Sequence, residues 1–110
     1  MAVTYEYDSF AYSIPADTNL ATLLTLSSGE ELIGAEVTAA NISASDITIR
    51  VGIGTGESQD YWLCYDFTLY ANLFVRFYIS GLGSSNKVFV RTSSANNCHF
   101  SITGLKKTTT

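Results

Sequence analysis

The sequence predicts an all-β protein: an antiparallel β-sandwich of about eight strands, jelly-roll-like or immunoglobulin-like, with no substantial helix. Three observations carry that expectation. Ser, Thr, Tyr and Phe are plentiful, whereas charged residues, which cover helix surfaces, make up only 15 %. Ile47, Ile49, Val51 and Ile53 alternate with Thr48, Arg50 and Gly52, the period of a strand with one buried face. Clusters of Gly, Asn, Asp and Ser interrupt the apolar runs at short, regular intervals.

Taken in order, the expected strands cover 5–14, 20–26, 31–40, 46–53, 60–68, 73–80, 87–93 and 98–104. The first holds Tyr5, Tyr7, Phe10 and Tyr12 and stops at Pro15-Ala16-Asp17. The second is the Leu-rich run before Ser27-Ser28-Gly29. In the third, Val37 and Ala39 alternate with Glu36 and Thr38 up to the Asn41 to Ser45 turn. The fourth ends at Gly54-Thr55-Gly56, and the fifth opens on Tyr61-Trp62-Leu63-Cys64-Tyr65. The sixth and seventh carry apolar residues on both faces, which marks central strands or strands whose outer face meets a partner. They are separated by Gly81 to Asn86, and Ser93 to Asn97 precedes the last. Ile47, Ile49, Val51, Val88, Val90, Phe100 and Ile102 are the expected core.

With 110 residues the chain makes one domain, divided into an N-terminal arm or first strand (1–19), the sandwich (20–105) and a polar tail (106–110). An apolar content of 46 % excludes disorder. A net charge of −4 with six Lys and Arg makes nucleic acid an unexpected partner. The longest apolar run, Tyr61 to Tyr65, is far short of the roughly 20 residues that span a bilayer, so no membrane is expected. Met1 is followed by Ala2-Val3-Thr4-Tyr5-Glu6, without the basic and apolar regions of a secretory signal. Two cysteines, Cys64 and Cys98, are therefore expected as buried thiols.

Catalytic material is sparse, and no enzyme, cofactor or metal is expected. Gly52-Ile53-Gly54-Thr55-Gly56 lacks the following helix that a phosphate loop needs, since Ser58 to Tyr65 is aromatic and strand-like. His99 stands alone, and Cys98 beside it points to the opposite face of a strand. Asp60 and Asp66 are about 20 Å apart along extended chain, too far to act together on a glycoside. Asn41-Ile42-Ser43 matches a glycosylation sequon but reads as a turn.

From Leu20 to Leu105 the order of motifs resembles small all-β virion proteins of tailed bacteriophages. The resemblance runs through Thr22 to Glu31, Val37-Thr38-Ala39-Ala40-Asn41, Ser43 to Val51, Tyr61 to Asp66 with Ala71-Asn72, Lys87 to Asn96, and Phe100 to Gly104. Residues 1–19 have no counterpart in it. It implies a non-enzymatic capsid decoration or cement protein, with a tail, neck or fibre-attachment component as the alternative. It also implies assembly in the host bacterial cytoplasm, a place in the virion, and partners among the major capsid protein, other virion proteins and copies of itself. Among closed oligomers a trimer is favoured over a dimer, because decoration proteins often match a local shell axis. The expected interface residues are Tyr5, Tyr7, Phe10, Phe74, Tyr78 and Phe89. A third reading, a carbohydrate-binding module, would rest on Tyr61 to Tyr65 or on Tyr70 and Tyr78.

Overall fold

The structure, a computed structural model, describes residues 2–56 and 59–110; Met1 and Ser58, which figure in the sequence expectations above, lie outside them. Eight strands follow one another: β1 (Val3–Ser13), β2 (Ala21–Thr25), β3 (Glu30–Asn41), β4 (Ile47–Gly54), β5 (Tyr61–Leu69), β6 (Phe74–Ile79), β7 (Lys87–Thr92) and β8 (Cys98–Thr109). Two four-stranded antiparallel sheets stack, with orders β1-β8-β3-β6 (sheet A) and β2-β7-β4-β5 (sheet B). The pairs β1–β8, β2–β7, β3–β6 and β4–β5 are those of one long hairpin. Rolling that hairpin adds β3 to β8 and β4 to β7. This is the jelly roll, which decides between the two sandwich topologies expected from sequence.

Alternation sorts the strands into faces. Val37, Ala39, Ile47, Ile49, Val51, Val88, Val90, Phe100 and Ile102 are buried between the sheets, and Leu23, Leu26 and Leu32 close the layer. All seven residues expected in the core are there. Phe89 is different. It is 2 % exposed but lies outside the inter-sheet cluster. In register it sits beside Gly52 on the outer face of sheet B, where Trp62 Cε3 comes within 3.0 Å of the position a Gly52 Cβ would take. Its ring is therefore sealed in by its own chain.

Two bulges re-aim side chains. In β1, Ser9 opposes Thr103 and Ala11 opposes Ile102, so Phe10 is the extra residue and packs toward the core. Tyr12 consequently returns to the face that carries Tyr5 and Tyr7, whereas strict alternation puts it on the other. In β5, Asp66 takes a left-handed backbone (φ 50°) at a register shift opposite Ile49 and Val51.

The expected polar tail is not one. β8 runs on through Lys106 and Lys107 to Thr109, paired with β1 on one side and β3 on the other. Thr suits a strand, and the lysines meet acids on the adjacent strands: Lys106 Nζ lies 3.0 Å from Glu30 and 3.8 Å from Glu6, and Lys107 Nζ lies 3.7 Å from Glu31. This end of sheet A projects beyond sheet B. Residues 3–8 are accordingly exposed on both faces, and the molecule reaches 50 Å in length against 25 and 21 Å across.

Candidate interaction face

The outer face of sheet A is organised in rows across the strands. From one end they read Tyr5–Lys107–Glu31, Tyr7–Leu105–Gly34, Ser9–Thr103–Glu36–Tyr78, Tyr12–Ser101–Thr38–Arg76 and His99–Ala40–Phe74. Large rings stand on the two outer strands, β1 and β6, while along the middle of β8 and β3 the side chains are mostly small or hydroxyl: Ser101, Thr103, Gly34, Thr38 and Ala40. The result is a trough with aromatic rims. Tyr7 and Tyr12 are each 75 % exposed and Tyr78 is 67 % exposed.

Two hollows lie along this trough. One, of about 380 Å³, lies over Thr38, Ala40 and Ser101, with Tyr12, Ile14 and His99 beside them. The other, of about 230 Å³, lies between Tyr7 and Tyr78 over Gly34, Glu36 and Thr103. The floor is fixed by short-range bonds. Ser9 and Thr103 hydroxyls pair at 2.7 Å, and the Tyr78 ring leans over Gly34. The Arg76 guanidinium covers the Phe74 ring at 5.2 Å. Such a face has aromatic area to bury and few free charges to desolvate, the composition of an interface centre.

Four of the six expected interface residues, Tyr5, Tyr7, Phe74 and Tyr78, share this face. Phe10 does not; its ring packs against the core and under the Lys106 ammonium, 4.9 Å away. Phe89 is buried on the other sheet and offers no surface. Sequence reasoning missed Tyr12 because no residue type announces the bulge at Phe10. It also missed Gly34 and Thr103, which matter by position alone.

The outer face of sheet B holds a tighter cluster. Arg50 clamps Asp66 through Nε–Oδ1 at 2.7 Å and Nη2–Oδ2 at 3.1 Å, and Arg91 Nη1 stands 3.9 Å from the same carboxylate. The Arg50 hydrogen bond holds the Asp66 carboxyl below the usual range and raises Arg50 in turn. The guanidinium lies 3.9 Å from the Tyr65 ring centroid, and Tyr65 meets Trp62 edge-on at 5.2 Å. One face of Tyr65 is thus occupied by Arg50, while Tyr61 and Tyr65 remain 64 % and 57 % exposed.

The remaining sequence signals resolve into structure. Asn41 is buried; its amide donates to the Ser45 and Leu69 carbonyls at 2.8 and 3.0 Å, while its oxygen accepts from Ser43. No sugar could be attached to it in the folded chain. Cys98 faces inward and His99 outward. Burial pushes the Cys64 thiol up to about 11 and Cys98 up to about 12, so both stay protonated near neutrality. Asp60 bonds the Thr55 backbone at 3.2 Å across the turn between β4 and β5. Among the described residues no three His, Cys, Asp or Glu side chains converge as metal ligands.

The sequence matches no family model and no curated protein. Solved structures do match. The coat protein of Tobacco streak virus aligns with 97 % of this chain and 86 % of its own at a TM-score of 0.55 and 9 % identity. A capsid chain of Helicobacter pylori bacteriophage KHP30 aligns with 96 % of this chain and 92 % of its own, at 0.53 and 15 % identity. A Bacillus endospore appendage protein, from a family of disulfide-linked pili, aligns with 98 % and 89 %, at 0.55 and 10 % identity. At these identities the likeness is one of fold, a whole-length jelly roll shared with subunits of capsids and of a surface appendage.

Proposed function

We propose that this chain is a non-enzymatic structural subunit of a virus particle, a decoration or cement protein on the head of a tailed phage. It docks through the outer face of sheet A. The observation that carries this reading is the aromatic-rimmed trough running along a jelly roll whose core is already complete. Tyr5, Tyr7, Tyr12, Phe74 and Tyr78 contribute nothing to the inter-sheet core, yet they line one face. Each such ring buried on docking is worth about 1.5–3 kcal/mol. The jelly roll recurs in capsid subunits, and the motif order from Leu20 to Leu105 resembles small phage virion proteins. The net charge of −4 keeps the free subunit soluble before assembly.

The test is rebinding. Heads of the phage encoding the chain, stripped of the subunit, should bind the recombinant protein and should bind Tyr7→Ala/Tyr78→Ala at least tenfold more weakly, at unchanged melting temperature. Equal binding by the variant removes the docking face. Binding to purified tails rather than heads moves the subunit to the tail or neck, where the same interface chemistry would serve.

The carbohydrate reading, on Tyr61 to Tyr65 or on Tyr70 and Tyr78, is supported best at Tyr78, which faces Tyr7 across the Thr103 hydroxyl and the Glu36 carboxylate. Glycan-array binding that disappears in Tyr78→Ala would favour it over a protein partner.

A further inference from the structure

The edge of sheet A carries an inference independent of what docks on its face. β1 is an outer strand, paired on one side only, with β8. The direction of its free backbone groups follows from the end of the ladder. Ala2 N–H donates to Thr110 O at 3.2 Å and Thr110 N–H donates to Ala2 O at 2.9 Å, so this pair exchanges both bonds. In an antiparallel ladder such pairs alternate with pairs that exchange none. The register is unbroken from Val3–Thr109 to Ser9–Thr103. Hence Thr4, Glu6 and Asp8 turn their N–H and C=O toward β8, whereas Val3, Tyr5 and Tyr7 present theirs outward.

Apart from charge at Glu6 and Asp8, this open edge lacks the usual guards. Natural edge strands are blunted by Lys, Pro, a bulge or a covering loop. From Val3 to Ser9 there is no Lys and no Pro, and the bulge comes only afterwards. The strand here is exposed on both faces, beyond the reach of sheet B. The charges it does carry, Glu6 and Asp8, lie on the face opposite Tyr5 and Tyr7, and each has a partner: Glu6 lies 3.8 Å from Lys106, and Asp8 Oδ1 accepts from Ser9 N–H at 2.7 Å.

We infer that β1 is a self-pairing edge, joining antiparallel to β1 of a second copy of this chain about a two-fold axis through Tyr5. Charge fixes the register. A two-fold at Glu6 would set two glutamates opposite each other, and one at Tyr7 would set Glu6 opposite the second copy's Asp8; like charges directly opposite destabilise a sheet. A two-fold at Thr4 shortens the overlap. The axis at Tyr5 places Tyr5 opposite Tyr5, Val3 opposite Tyr7 and Thr4 opposite Glu6. Every outward N–H and C=O of Val3, Tyr5 and Tyr7 then finds a partner. The apolar rows Val3–Tyr7 and Tyr5–Tyr5 fall on one face.

The contact is two-fold, in place of the trimer favoured from sequence, and it joins two copies of sheet A into one eight-stranded sheet. Because the axis is perpendicular to that sheet, both troughs face the same way. A subunit pair would therefore present two docking faces to one surface; this last consequence rests on the proposed function, the pairing itself does not.

Cysteine trapping and sedimentation test the pairing on the full chain. Thr4 and the second copy's Glu6 form a pair without exchanged bonds, with Cα atoms about 4.5 Å apart, within disulfide range. A mixture of Thr4→Cys and Glu6→Cys proteins should cross-link, and neither should cross-link alone. Tyr5→Pro removes an outward N–H from each copy and leaves the β8 ladder whole, because an edge strand tolerates Pro on its solvent side. It should weaken the dimer by about tenfold or more, since each hydrogen bond contributes roughly 1 kcal/mol. Its far-UV spectrum and melting should match the parent. Cross-linking by Glu6→Cys alone, a trimer, a monomer throughout the dilution series, or a dimer indifferent to Tyr5→Pro overturns the inference. The virion reading would survive any of these results, since head rebinding is measured separately.

Discussion

The Tyr78 hydroxyl lies 3.1 Å from the position that a Cβ on Gly34 would occupy, so a ring rooted on β6 reaches across the backbone of β3. The absence of a side chain at Gly34 is what gives the trough its depth between Tyr78 and Tyr7. Gly34 has an ordinary negative-φ backbone, so a larger residue meets only the far end of a movable ring. Gly34→Leu should therefore fold with stability within about 1 kcal/mol of the parent, as substitutions outside the core do. It should fill the smaller hollow and weaken particle binding. Unchanged binding with a folded protein would show that the trough floor is not in contact.

Acid should weaken the fold in a defined window. Glu30 accepts a bond from Ser27 N–H at 2.8 Å and lies beside Lys106, and Asp66 is clamped by Arg50. Both carboxyls are held below their ordinary values, Glu30 chiefly by the Ser27 backbone bond and Asp66 chiefly by Arg50. A lowered folded-state value means that the stabilisation is complete above the unfolded carboxyl range near pH 4 and is lost as pH falls through the folded values. Melting temperature should fall as pH drops below about 4. Glu30→Gln and Asp66→Asn should each flatten that fall, which thermal melts at stepped pH would record.

Asn41 holds two segments together: its own turn, through Ser43 and Ser45, and the end of β5, through Leu69. Asn41→Ala leaves the buried Leu69 carbonyl without its donor. A loss of about 2–4 kcal/mol in urea unfolding is expected, from several net hydrogen bonds and one unsatisfied group. A loss below about 0.5 kcal/mol would mean that water replaces the amide.

Phe100 opposes Ala39 and is among the largest fully buried side chains. Phe100→Ala should cost about 3–5 kcal/mol, whereas Tyr12→Ala, on the same sheet but facing outward, should change stability by less than about 1 kcal/mol. Parallel denaturant titrations of the two variants would check the assignment of faces.

Strand positions were legible from sequence because the apolar runs and turn clusters are short-range signals. Ile47 to Ile53 needs only its own alternation to declare a face, and its observed neighbours β5 and β7 fit. The sandwich class followed for the same reason. What did not follow depends on contacts distant in sequence. Lys106 to Thr109 look like a tail until Glu6, Glu30 and Glu31 are brought beside them. Phe89 looks available because a run that is apolar on both faces can be covered either by a partner or by its own chain, here at Gly52 and Trp62. The direction of Tyr12 turns on one extra residue in β1, and Asp66 adopts its left-handed backbone without the glycine that would signal it.

The pairing of β1 with β8 also governs when the molecule can form. Sheet A has no second strand for β1 until the final segment of the chain is present, and closing so long a loop costs about 4 kcal/mol of chain entropy before any contact repays it. Folding should accordingly be slow, on the millisecond-to-second scale of non-local β topologies. A nascent chain lacking residues 98–109 would leave β1 and β3 as neighbours of a missing strand. It would expose the inner edges of β1 and β3 in addition to the two outer edges that the finished sheet keeps at β1 and β6, and proteases and other nascent chains would find it in that state.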